Sequence, residues 1–421
     1  METGFYIFLS IVFWTASLCI VHTYAVYPHL LRFMARGKKL PEERYEDDDE
    51  FPEVVALMAA YNEEQVIGAT LDSVIASDYP LGKLRVLIGS DGSVDRTHDI
   101  VNECHEEFPW IELRKFGGRN GKIPVVNMLA KEALADLSDP ESAIFLLCDA
   151  NVSWTPSMVR NAVRHFKREK VGLVGASIVD VRLHQEESRA EEGIRKEEES
   201  YISQENLAKF RESVLWGTAM GAFGACYCVR ASLFRTVPGN FFCDDFFQTM
   251  NCLERGHEAI VDIEAVANEA VSEDIQEEFK RKRRIALGNF QNLGVFKSLF
   301  NPLNGRLALC FAFWSHKGLR WNGPVLLFLA HVSCLLLTQY SHAYWIPMLA
   351  LVMTWLMASI DYLLSRLESS ICIKFFRFVR YFYWMNSAIV LGYISFAKGV
   401  TDSIWEPTHR VDVTRSLSRT G

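Results

Sequence analysis

The apolar positions of this chain follow two regimes. Residues 4–25 form an unbroken apolar run without Asp, Glu, Lys or Arg, long enough to cross a hydrocarbon core of about 30 Å as a helix. Further apolar runs come late, at about 323–340, 344–364 and 381–397, and the stretch 371–383 mixes aromatic and basic residues as a helix on a membrane surface does. Between these regimes, short apolar or β-branched runs at 54–59, 84–89, 143–148, 171–176 and 222–229 read as buried strands. Helix-period segments at 64–76, 95–107, 121–137 and 157–169 separate them. The alternation predicts an α/β domain with a mainly parallel sheet and ligands beyond the carboxyl ends of its strands.

Charge gives the apolar runs a direction. No Lys or Arg precedes Arg32, whereas a cleaved signal peptide carries basic residues ahead of its apolar run, so 4–25 reads as a retained anchor. Arg32, Arg36, Lys38 and Lys39 place the region after the anchor in the cytosol. Runs 323–340 and 344–364 read as a hairpin: Lys317 and Arg320 precede it, Arg366, Lys374, Arg377 and Arg380 follow it, and its connection has no basic residue. The expected organisation is an N-terminal transmembrane anchor (1–29), a basic then acidic linker (30–50), a cytosolic domain (51–298), an interfacial segment (299–321), about three C-terminal transmembrane helices (322–400) and a tail (401–421), whose side of the membrane stays open.

Composition narrows the class. The chain has 421 residues, and 44 Lys and Arg against 52 Asp and Glu leave a net charge of −8, which excludes a bulk nucleic-acid binder. An apolar content of 49% accords with partial burial in lipid. The 10 cysteines show neither CxxC pairs nor zinc spacing and read as reduced thiols.

Polar residues gather after three strands: Tyr61-Asn62-Glu63, Asp91-Gly92-Ser93 and Asp149-Ala150-Asn151. Carboxylates there can accept hydrogen bonds from a base or ribose, and Asp149 with Asn151 can offer oxygens to a hard cation on a diphosphate. Each triplet alone reads equally well as a turn, but three on one edge in chain order point to a ligand site.

These residues resemble the membrane-bound inverting glycosyltransferases of family 2, the group of poly-N-acetylglucosamine, hyaluronan, chitin-oligosaccharide and cellulose synthases, over residues 52–321. The resemblance implies a nucleotide-sugar-binding GT-A domain docked on membrane helices. By it Tyr61, Glu63, Asp91 and Gly92 hold the uridine and ribose, and Lys122, in Gly118-Arg119-Asn120-Gly121-Lys122, lies near the phosphates. Asp149 and Asn151 fall on the metal-binding Asp-x-Asp for Mg2+ or Mn2+, with an amide in place of the second carboxylate. Gly221, Ala222 and Gly224, after a helix carrying Glu205, Lys209 and Glu212, fall on the acceptor side. Asp245 is the implied base and Asp244 its orienting partner, though the pair also suits a helix start. Arg281, Arg284, Gly288 and Gln291 follow a Gln-x-x-Arg-Trp-like pattern in which Arg281 replaces Gln and Ile285 replaces Trp. Arg281 and Arg284 would bind the donor, Gln291 the acceptor, while Lys282 and Arg283 suit lipid headgroups. Trp321 reads as an interfacial anchor and His316 as structural.

The implied activity is metal-dependent transfer of a hexose or N-acetylhexosamine from a nucleotide sugar, with UDP expected, to a growing polysaccharide or lipid-linked acceptor. A bacterial inner membrane is the implied location. The alternatives are a processive synthase that also exports its polymer, as a homo-oligomer or with a partner, and a catalytically silent scaffold of the same fold. A nucleotidyltransferase shares the sheet and the metal logic but not the acidic pair followed by Arg284.

Overall fold

The computed structural model describes residues 2–180, 192–269, 275–367 and 373–399; the tail at 401–421 and the charged stretch at 181–191 lie outside them. The chain opens with α1 (Glu2–Val21), a π-helical turn (His22–Val26) and α2 (Tyr27–Met34), one rod of 33 residues. The α/β domain follows as β1 (Val54–Ala60), α3 (Ile67–Ile75), β2 (Leu84–Asp91), α4 (Thr97–Glu107), β3 (Ile111–Phe116), α5 (Lys122–Asp136), β4 (Ile144–Cys148), β5 (Val152–Trp154) and α6 (Met158–Val163). It continues with β6 (Val171–Asp180), α7 (Glu192–Trp216), β7 (Cys226–Arg230), α8 (Asp244–Glu254), β8 (Glu258–Glu269) and α9 (Ile275–Phe296). Then come α10 (Leu307–Phe313), a π-helical stretch (Trp314–Gly318), α11 (Leu319–Trp321), α12 (Gly323–Leu337), α13 (Trp345–Arg366) and α14 (Lys374–Lys398).

Strand β1 shows why a continuous apolar run predicts a strand here. Val54, Ala56 and Met58 face one buried layer, with α3 and α6, and Val55 and Leu57 face the other, with α5 and α8. The sheet order is β3-β2-β1-β4-β7-β6-β8-β5. It is mixed, which corrects the expectation of a mainly parallel sheet: β1–β2, β1–β4, β2–β3 and β6–β8 are parallel, and β4–β7, β6–β7 and β5–β8 antiparallel. The reason bears on function. Because β7 runs against β4, with Cys148 opposite Cys226, the chain entering β7 starts at the edge where β4 ends. Residues 222–224, expected within a strand, are instead part of a loop beside Asp149, whose N–H donates to the Ala225 carbonyl at 3.0 Å.

Among the described residues, two helical stretches are long and apolar enough to cross a membrane, Glu2–Met34 and His342–Arg366. A third is reached if 307–321 and α12, which meet at a 66° bend, count as one span. The runs expected as a hairpin form α12 and α13; α14, with 25 residues, is long enough for a span but not apolar enough, and the run expected at 381–397 and the described part of the stretch at 371–383 both fall in it. α14 packs on α9: Phe279 meets Trp384, Phe290 meets Tyr393, and Arg283 donates to Ser395 Oγ at 2.8 Å.

Candidate active site

The loops after β1 and β2 are laced together. Asn62 takes the left-handed conformation (φ 51°), which its short side chain tolerates, and its Oδ1 accepts from Val94 N at 2.9 Å while Glu63 N donates to Thr97 Oγ1 at 2.9 Å. This holds Tyr61 and the buried Glu63 beside Asp91, Gly92 and Ser93. Asp91, also buried, accepts from Asn120 N at 2.7 Å and Gly121 N at 2.9 Å, so its carboxylate closes the loop that leads to Lys122. Gly92 lies against the Gly118 carbonyl, and the Arg119 guanidinium stands 3.1 Å above the Tyr61 ring centroid.

Lys122, the first residue of α5, joins this edge to the rest of the site. Its Nζ lies 2.5 Å from Asp149 Oδ1, 3.3 Å from the Gly224 carbonyl and 3.9 Å from Asp244 Oδ1. Burial opposes its charge, but Asp149 and Asp244 outweigh burial and hold its pKa above the usual lysine range. Asp149 ends β4, and two residues on, Asn151 Nδ2 is buried without a hydrogen-bond partner. Among the described residues no group of three or more His, Cys, Asp or Glu side chains could hold a metal alone. One carboxylate and an amide that a flip would turn oxygen-first fit an ion of the Mg2+ kind, which takes one or two protein oxygens and the rest from phosphate and water.

The acidic pair opens α8. Buried Asp244 accepts from Tyr227 O–H at 3.0 Å. Asp245 stands against the 221–224 loop: a Cβ on Gly224 would come within 3.3 Å of the Asp245 Cγ, so glycine lets the carboxyl approach. Gly221 has φ 89°, and a Cβ there would meet Phe246 at 2.9 Å, so both conformation and space require glycine. Ala222 N donates to Thr249 Oγ1, which donates to the Asp245 carbonyl at 2.7 Å. Burial pushes the Asp245 carboxyl up, Asp244 adds to it, and with Lys209 and Lys122 opposing it reaches about 6, in the range of a general base.

Helix α9 closes the far side. Gly288 packs on Cys243, the residue before the acidic pair, where a Cβ would come within 2.6 Å of Sγ. Arg284 lies one turn earlier: burial raises the Cys243 thiol, Asp245 and Asp244 add to that, and Arg284 and Lys122 oppose it, which puts all four around the start of α8. Arg281 is held on its own helix by Glu278 at 2.8 Å, and Gln291 donates to the Asn240 carbonyl at 2.8 Å. The structure thus gathers Lys122, Asp149, Gly224, Asp244, Asp245 and Arg284, with Tyr61, Glu63, Asp91 and Gly92 on the adjoining loops, while Arg281 and Gln291 make contacts within the protein.

Sequence reading overlooked Tyr227 as a neighbour of the acidic pair, and it overlooked a buried charge network. His316 has a Glu212 oxygen 2.7 Å from Nδ1 and Glu205 oxygens 3.1 Å from Nε2; Glu205 also accepts from Lys317 at 2.7 Å and from Arg320, and Glu212 from Tyr27 O–H at 2.8 Å. The seven-residue spacing of Glu205 and Glu212 on a helix, with basic residues at 316–320, was the available signal.

Residues 55–235 match the family described as Glycosyl transferase family 2. The chain is 34% identical over 112 residues to the probable glycosyltransferase YdaM of Bacillus subtilis, covering 27% of this chain and 26% of that protein. It is 30% identical over 126 residues to a beta-monoglucosyldiacylglycerol synthase of Synechocystis, covering 30% of this chain and 25% of that one. The matched stretch thus spans about a quarter of these relatives' length. The solved structure of the mannosyltransferase PcManGT from Pyrobaculum calidifontis, in complex with GDP-Man and Mn2+, has a TM-score of 0.65 at 19% identity, covering 94% of this chain and 99% of that one, a likeness of fold. Residues 55–235 of this chain thus match the glycosyl transferase family 2 domain, and the chain has a GT-A-like fold.

Proposed function

We propose that this chain is a membrane-embedded inverting glycosyltransferase. It moves a hexose or N-acetylhexosamine from a nucleoside diphosphate donor, with UDP expected, to a lipid-linked acceptor or growing polysaccharide at the cytosolic face, the domain at 51–298 standing between the anchor and the C-terminal helices. A bacterial inner membrane suits this arrangement. The observation that carries the reading is the acidic pair at the start of α8, tied through Lys122 to Asp149 at the strand edge. The step needs three things of the protein. Asp245 accepts the proton of the acceptor hydroxyl as its oxygen attacks the anomeric carbon from the face opposite the diphosphate. The bond from that carbon to the diphosphate oxygen breaks, and the departing nucleotide takes the electron pair, stabilised by Lys122 and Arg284. Asp244, fixed by Tyr227, keeps the base in register. Asp149 with Asn151 would hold a divalent cation, Mg2+ or Mn2+, that neutralises diphosphate charge. Tyr61, Glu63, Asp91 and Gly92 would receive the nucleoside, and Gly221, Ala222 and Gly224 line the acceptor side.

A membrane-borne acceptor is supported by Phe246, the neighbour of the base, whose ring meets Trp321 at 5.5 Å, one residue from the bend into α12. The test is nucleotide release by the detergent-purified protein over a panel of UDP- and GDP-sugars with Mg2+ or Mn2+, against D245N. Turnover of one donor that is lost in D245N supports the reading, and turnover that persists in D245N removes Asp245 as the base.

A further inference from the structure

The inward face of α7 buries polar side chains where a long helix ordinarily buries apolar ones. Glu205, Asn206, Lys209, Glu212 and Ser213 form one stripe and are all buried. Four of them have close partners. Glu205 and Glu212 are engaged by His316, Lys317, Arg320 and Tyr27, Asn206 donates to the Ile178 carbonyl at 3.0 Å, and Ser213 accepts from Val261 N at 2.9 Å. Lys209 differs. Its ammonium, in a residue only 3% exposed, has the Ala222 carbonyl at 3.5 Å and the Phe223 ring centroid at 3.4 Å, and among the described residues it forms no ion pair. Burying an ammonium on such weak contacts is costly, so the charge itself needs an explanation.

That explanation lies on the other side of the loop. Ala222 and Phe223 belong to the segment that Asp245 leans on through Gly224 and Thr249, so the ammonium and the base carboxyl flank one short stretch of chain. We propose that Lys209 is the counter-charge of the base: set in the wall behind the 221–224 loop, it holds Asp245 ionised on the acidic side of neutrality and so fixes where transfer activity begins as pH rises. This rests on the reading of Asp245 as the base. Lys209 is a positioning residue in this scheme, remaining protonated while the acceptor proton passes to Asp245.

The charged surroundings are consistent. Lys209 faces Glu205 and Glu212 on its own helix, Lys317 on the 314–318 stretch and Asp245 on α8; Asp245 faces Asp244 on α8, Lys122 on α5 and Lys209 on α7, with Tyr227 of β7 and Arg284 of α9 close by. Burial and then Lys317 bring Lys209 down to about 7, against Glu205, Asp245 and Glu212.

The experiment uses the full chain in detergent with the UDP- and GDP-sugar panel, comparing pH profiles of wild type, K209Q, K209R and D245N. Nucleotide binding by UDP or GDP reports that each variant is folded, with K209M standing in for K209Q if that variant fails. Loss of an opposite charge at this range raises a carboxyl by about one unit, so the acidic edge in K209Q moves up by about one pH unit and the ratio of its activity at pH 6 to that at pH 8 falls about fivefold, while K209R stays near wild type. An acidic edge in K209Q equal to that of wild type overturns the proposal, as does a K209R edge displaced as far as that of K209Q. D245N with wild-type turnover instead removes Asp245 as the base, and a wild type that turns over no donor removes the glycosyl-transfer reading; either outcome takes the proposal with it.

Discussion

Asp245 carries a cost that is measurable without any substrate. Its carboxyl rises from an ordinary 3.8 to about 6 in the folded chain, through burial and Asp244. By linkage, the folded state binds the proton more tightly than the unfolded state, so stability is greatest below pH 3.8 and declines as pH rises toward about 6. At neutral pH the ionised carboxyl withholds about 3 kcal/mol at 1.36 kcal/mol per unit. D245N should therefore lower turnover by about 10²–10⁴-fold, the share of a positioned base, and yet melt at a higher temperature at pH 7 than wild type. An unchanged or lower melting temperature would mean that burial does not burden this carboxyl. Lys122 predicts the opposite pairing of effects. K122M removes the cation shared by Asp149 and Asp244, so UDP or GDP binding measured calorimetrically should weaken by about 10- to 100-fold, the worth of one charge-assisted hydrogen bond. At this scale the sequence was informative at element ends: Asp91 and Asp149 stood out by their place after apolar runs, and Asp245 by the resemblance of the acidic pair at a helix start. Lys209 stood in the acceptor-side helix without a role, because a lysine among glutamates on a charged helix looks like a solvated face until the fold turns that face inward.

Among elements, α9 depends on one close approach. A Cβ on Gly288 would sit 2.6 Å from Cys243 Sγ and 3.0 Å from Cys243 N. G288A must push α9 off the start of α8 and carry Arg284 with it, since backbone cannot yield as a flexible side chain does. The expected result is a loss of turnover of about 10²-fold with nucleoside diphosphate binding also reduced, because a misplacement of about 1 Å is enough for that loss. Near-normal turnover in G288A would detach Arg284 from the leaving group. The gaps in the sequence reading at this scale have physical causes. Central strands such as β1 and β4 are buried on both faces and appear as apolar runs, whereas β3 reads Ile-Glu-Leu-Arg-Lys-Phe, an edge strand whose charges pair with Arg85, Glu132 and one another and hide its period. Strand direction leaves no hydrophobic trace, so the antiparallel entry of β7 and the loop it creates at Gly221–Gly224 were beyond reach. The apolar and basic stretches of α14 appeared as two elements because aromatic residues serve equally on a membrane surface and against α9.

Over the whole molecule, the α/β domain is fastened through His316 to the helices that carry its candidate membrane spans. Carboxylate oxygens of Glu212 and Glu205 stand at its two ring nitrogens. The node ties α2, through Tyr27, to α7, through Glu205 and Glu212, and to the helical segment ahead of α12. Two substitutions separate its parts. Y27F removes one donor while Glu212 keeps His316 and the Met220 amide, so it should cost about 1 kcal/mol. H316F leaves two buried glutamates short of their shared partner and should cost about 3–5 kcal/mol, enough to lower the yield of folded protein. The pH dependence gives the sharper test. Burial alone would raise Glu205, yet Lys317, His316 and Arg320 hold its carboxyl well below the usual glutamate value of 4.5. A depressed carboxylate contributes stability that is fully present above 4.5 and is lost as pH falls below it. Thermal unfolding of the purified protein should therefore show the H316F deficit at full size at pH 7 and shrinking below pH 4.5, as Glu205, which keeps Lys317 and Arg320, becomes neutral. A deficit that stays constant with pH would make His316 a packing residue, and the link between domain and membrane would then rest on apolar contacts such as Phe246 with Trp321.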